Sequence, residues 1–177
     1  MTNLRKRIEH LNPCSGALKW LDTHTTTKTA WAACERGDWM LWLLGRLSGK
    51  PGSNARRKLV LCVCECARLA MKHVKKGEKR PLKAIETAEA WARREGGVLL
   101  SDVQKSAASA AANAATASSY TYAAVYAAAS YAYAAASAAA DASAAYAAYA
   151  AARLKTLKHC ADIVRKHYPN PPRISKP

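Results

Sequence analysis

The chain has no phenylalanine, and aromatic residues make up only 7% of its 177 positions. A core built on a few large rings is therefore excluded. Small side chains in close contact must do most of the packing, because protein interiors fill to near crystal density whatever residues supply the volume. Acidic residues are also scarce: 12 Asp and Glu stand against 28 Lys and Arg, a formal charge of +16. Such an excess points to an anionic partner, which could be nucleic acid, a nucleotide-like small molecule or an acidic protein surface. Solubility alone is the competing explanation. The six cysteines show no CxxC spacing, so neither a zinc site nor a disulfide framework is indicated. They read as small buried hydrophobes in a reducing cytoplasm. The opening MTNLRKRIEH lacks the apolar core of a signal peptide. No stretch is apolar enough for a convincing membrane span.

Catalytic signatures are missing too. There is no glycine loop to cradle phosphate, no HExxH and no nucleophile elbow. His10, His24, His73, His159 and His167 are scattered. The expectation is a protein without catalytic residues, metal ligands or cofactor.

What is present is organised around Ser106 to Ala152, a run almost entirely of Ala, Ser and Tyr without Gly or Pro and with one charge, Asp141. Alanine has the highest helix propensity, so the run reads as helix. Seven of the eight tyrosines fall inside it. As one straight helix it would be about 70 Å long, whereas a domain of this size is only about 40 Å across. The run is thus expected to fold back as a hairpin, breaking near Ala117–Thr121 or Asp141–Ser143. Tyr122, Tyr126 and Tyr133 share one helix face and either fill the core or line a ligand groove. Asp141 reads as structural, either a helix cap or the partner of a buried arginine (Arg57, Arg68 or Arg80).

No strand pattern appears elsewhere. The expected fold is all-α, one compact multi-helix domain over 1–177. It has a loose basic lead-in (1–12), an Ala-rich helical region (102–167) and an extended Pro-rich tail (168–177). Thr23 to Thr29 reads as a polar linker. Gly37 reads as a helix terminator and Asp38 as the cap of the next helix, whose Trp39 and Trp42 head the apolar anchor. The following helix places Cys62 and Cys66 on one face and lets Glu65 pair with Arg68 three residues on. KKGEKR reads as a solvated turn. After it, Pro81 opens a helix with Ala84, Ile85, Ala88 and Trp91 inward and Glu86 and Glu89 beside them. Gly96 and Gly97 end that helix, and Ser101 to Gln104 reads as a capping box. Further on, Leu154, Leu157, Ala161 and Val164 form an apolar stripe. If an anionic small ligand binds, the expected site is a basic pocket near Arg57, Arg68 or Arg80, lined by Trp91 or the tract's tyrosines.

At Trp31-x-x-Cys34-x-x-Gly37-Asp38-Trp39-Met40-Leu41-Trp42-Leu43 the chain resembles the small immunity proteins of bacterial polymorphic toxin systems and of phages. CSGALKW (14–20), LVLCVCECAR (59–68), RPLKAIETAEAW (80–91), the Ala/Tyr tract with its Asp, and CADIVR (160–165) agree in order. The resemblance spans nearly the whole chain and implies an all-helical neutralising binder, though this chain is more basic than that family. The implied partner is a toxin or a host defence protein. A phage sponge that sequesters an anionic nucleotide messenger is the alternative, with a basic DNA- or RNA-binding protein ranked below both. Exposed Ala/Tyr helix faces would also suit a homodimer.

Overall fold

A computed structural model describes residues 3–50, 52–74, 76–111 and 142–174. Among them are eight α-helices and no strand. They are α1 (Asn3–Ile8), α2 (Ser15–Leu21), α3 (Thr27–Ala33), α4 (Gly37–Leu47), α5 (Asn54–Arg68), α6 (Arg80–Arg93), α7 (Leu100–Ala111) and α8 (Ala142–His167). The hairpin turn and the breaks expected in the alanine tract lie outside the described residues, as do Tyr122, Tyr126, Tyr133 and Asp141.

Local chemistry sets the helix starts. Thr26 and Thr29 form a reciprocal capping box for α3: the Thr29 amide donates to Thr26 Oγ1 (3.1 Å) and the Thr26 amide to Thr29 Oγ1 (3.3 Å). The expected threonine linker is therefore helical from Thr27 on. Ser53 caps α5, accepting from the Arg56 amide at 3.1 Å, a contact worth about 1 kcal/mol. Pro81 sits in the first turn of α6, where its missing N–H costs nothing. At α7 the carboxylate of Asp102 accepts from the Leu99 amide at 2.9 Å, so the cap lies two residues before the expected Ser101.

Helix α5 is the central layer. Its Leu59, Cys62 and Cys66 face α4 and α8, joining Trp31, Cys34, Met40, Leu41, Leu44, Cys160, Ala161 and Val164 in the main core. Its other side places Cys64 and Ala67 against Ile85 of α6. α6 in turn packs on α7. The helical 100° step therefore divides the Cys62–Cys64–Cys66 triplet between two layers.

Four further expectations change. The basic lead-in is ordered as α1 because Leu4 and Ile8 are buried with Leu21, Ala30 and Ile174. Gly37 begins α4 instead of ending α3. A β-carbon there would lie 2.5 Å from Cys160 Cβ and 2.7 Å from the Ala161 nitrogen, so glycine is needed for close helix approach. Leu154 is exposed (61%), and Cys160 takes its place in the stripe with Leu157, Ala161 and Val164. Glu65 and Arg68 do not pair with each other. Glu65 binds Lys166 and His167, each at 2.7 Å, and Arg68 binds Glu89. The two side chains leave α5 toward different neighbours, and α8 and α6 supply their counter-charges.

Candidate functional site

The basic residues proposed from the sequence do not converge. Arg68 forks onto Glu89 through Nε (3.0 Å) and Nη2 (2.9 Å), and this hydrogen-bonded guanidinium lowers the Glu89 pKa. Arg80 is bound to Glu78 through Nε (2.8 Å) and Nη2, which pulls the Glu78 carboxyl down to about 2. Glu65 is lowered by hydrogen bonds from Lys166 and then His167. Asp38 is gripped by Arg36 at 2.8 and 2.6 Å, and Glu86 is exposed.

Among the described residues, only Arg57 and Trp91 meet as expected. The guanidinium lies 4.3 Å from the indole centroid and donates to the Trp91 carbonyl at the end of α6 and to the Gly52 carbonyl (3.2 Å). Cation–π attraction follows, and the guanidinium adds a second donor to a helix-end carbonyl that also accepts from the Arg94 amide at 3.1 Å. Trp91 is only 5% exposed, so it offers no ring face for a base to stack on.

The structure adds two arginines that sequence spacing did not single out. Arg56 Nη2 donates to the Gly49 carbonyl (2.9 Å), and Arg94 Nη2 to Asn54 Oδ1 (2.9 Å). Arg56, Arg57 and Arg94 thus gather around residues 49–54 at the start of α5. All three donate to neutral oxygens, and none meets a carboxylate among the described residues. The positive end of the α5 dipole adds to the field there. Elsewhere among the described residues, nine acidic side chains are already engaged in ion pairs within the chain, so few carboxylates remain to offset the cation excess.

A second feature was not legible from the sequence. Helices α1–α4 and the tail enclose an apolar cleft of about 70 Å³. Trp20 contributes from α2, Trp31 from α3, Trp39 and Trp42 from α4, and Pro171 and Pro172 from the tail. Trp20 and Trp39 lie 6.0 Å apart at 58°, an edge-tilted contact of the favoured kind. Trp39 and Trp42, expected as the anchor of the core, are half-buried on its rim, while Met40, Leu41 and Leu44 occupy the interior. Arg36 covers Trp39 at 4.2 Å and Arg46 stands 5.9 Å from Trp42.

Among the described residues, no group of three His, Cys, Asp or Glu side chains is placed to hold a metal, and no helix is long and apolar enough to cross a membrane. Comparison with protein-family models, with curated proteins and with solved structures finds no match.

Proposed function

We propose that this protein is a non-catalytic binder that neutralises its target by occupying it, as immunity and anti-defence proteins do, and that the target presents an acidic surface. The observation that carries this reading is the arrangement of charge. Among the described residues nine carboxylates are tied up in internal pairs, while Arg56, Arg57 and Arg94 spend their donors on neutral oxygens and keep their positive field. Clustered charge of one sign steers an oppositely charged partner and sets its register. The ordered resemblance of GDWMLWL, ECAR and RPLKAIETAEAW to immunity proteins supports the same reading. Sequestration of a nucleotide messenger is the weaker alternative, because the indole nearest the arginines is buried.

The test is affinity capture from bacteria carrying an active toxin or defence system, followed by native mass spectrometry. A protein partner is expected, with an affinity that falls as salt rises. The Arg56→Gln/Arg94→Gln double variant should bind more weakly and with a shallower salt dependence. A co-purified small molecule with nucleobase absorption would replace the protein-target reading by the sponge. Salt-insensitive capture would overturn the charge argument.

A further inference from the structure

We propose that the tryptophan cleft receives an extended, proline-bearing segment of the partner, flanked by acidic residues. This rests on the binder reading above and names which part of the partner is gripped.

The tail shows what chemistry the cleft accepts. It leaves α8 at Tyr168, whose carbonyl accepts from Trp31 Nε1 at 2.9 Å. Three prolines (Pro169, Pro171 and Pro172) then fix their φ angles and prevent helix from continuing. The segment ends with Ile174 buried beside Leu4, Ile8 and Leu21, its carbonyl accepting from Arg7 Nη2 at 3.2 Å. Pro171 and Pro172 thereby form one wall of the cleft. Trp20, Trp39 and Trp42 line the same cleft and are each only half-buried. Grooves lined by aromatic rings are the surroundings in which proline-rich segments dock, since such segments lose little entropy on binding.

Size and polarity narrow the occupant further. A cavity of about 70 Å³ is smaller than the roughly 150 Å³ that takes benzene. One proline ring or aliphatic side chain fits at depth, and the rest of the occupant must lie across the exposed rings. The lining is almost wholly apolar and offers no buried donors for a sugar or phosphate. At the rim, Arg46 stands by Trp42, and the exposed Arg173 lies between Pro172 and Ile174. Arg46 donates to the Leu11 carbonyl (3.0 Å), and neither arginine meets a carboxylate among the described residues. Acidic residues beside the apolar segment complement both.

The probe is a synthetic peptide of alternating proline and leucine with aspartate at both ends, titrated into the full chain. The readout is the set of tryptophan indole N–H resonances. Saturable shifts of the Trp39 and Trp42 signals are expected, with Kd in the range of about 10–100 µM. Trp42→Ala should weaken binding at least tenfold. Arg46→Glu, at an exposed position that leaves the core untouched, should weaken the aspartate peptide and favour one ending in lysine. The proposal is overturned if no indole shifts at about 1 mM peptide, or if lysine ends bind as well as aspartate ends to the unmodified chain. It is also overturned if the signals move with protein concentration alone, which would assign the cleft to a second copy. A captured partner that binds Trp42→Ala normally and still responds to salt would sink the cleft and leave the binder reading standing. Loss of salt-sensitive capture with the peptide shifts intact would do the reverse.

Discussion

Gly37 and Cys160 touch so closely that a side chain on the first has no room: its β-carbon would sit 2.5 Å from that of the second. The obstruction includes the α8 backbone, at Ala161 N and Cys160 C, which cannot rotate aside as a flexible side chain could. Gly37→Ala should therefore destabilise the fold by about 3 kcal/mol through overpacking. Urea unfolding would show the midpoint shift. An unchanged midpoint would mean that α4 and α8 do not meet at this distance.

The Arg57–Trp91 contact yields a second expectation. Arg57→Ala removes a stacked cation and one of the two donors to a helix-end carbonyl, for an expected loss of about 2 kcal/mol. Arg57→Lys should recover only part of it, because an ammonium keeps the charge but neither the flat stack nor the fork. Equal stability of the Lys variant and the unmodified chain, by thermal melting, would reduce the contact to simple charge.

The Arg68–Glu89 pair sets a pH dependence. Glu89 is held below its usual value of 4.5 by the hydrogen-bonded Arg68, so the unfolded chain binds that proton more tightly than the folded one. The stabilisation is present above pH 4.5 and is lost as pH falls through the folded value. Glu89→Gln should lower the melting temperature at neutral pH and converge with the unmodified chain in acid. Parallel curves at all pH values would contradict the assignment.

Thiol accessibility gives a fourth check. Cys14 is exposed and the other five cysteines are buried. Burial pushes the Cys64 thiol up to about 12, and contact with the Cys160 and Cys62 thiols together with burial pushes Cys66 up as well. Since the thiolate is the reactive form, a thiol reagent should titrate one group rapidly in the native protein and six in denaturant. Two or more fast native thiols would mean that the main core opens readily.

Local signals in the sequence were sufficient for most of the helices, though not for α1 or the start of α3, and for much of their burial. Apolar spacing foretold the inward turn of Ile85 and Trp91 and the split of the cysteine triplet, and the prolines after Tyr168 marked the end of α8. Failures came where a distant segment decides. Gly37 carries the same letter whether it ends a helix or admits a neighbouring backbone, and only α8 distinguishes the two. Glu65 had a cation three residues away, yet its partners lie at Lys166 and His167. The cleft was illegible for the same reason, since its walls are α1–α4 and a tail that returns to Trp31 from Tyr168. The arginine cluster was half legible: Arg57 and Trp91 were named, but Arg94 joins only because α6 ends beside the start of α5.

The main core also dictates an order of events during synthesis. Trp31, Met40 and Leu44 leave the ribosome early, but Cys160, Ala161 and Val164, which cover them, are added more than a hundred residues later. At about 5–20 residues per second, the early helices spend roughly ten seconds without their lid. Throughout that interval the nascent chain displays apolar surface that the finished protein hides, and its dependence on chaperones should be concentrated there.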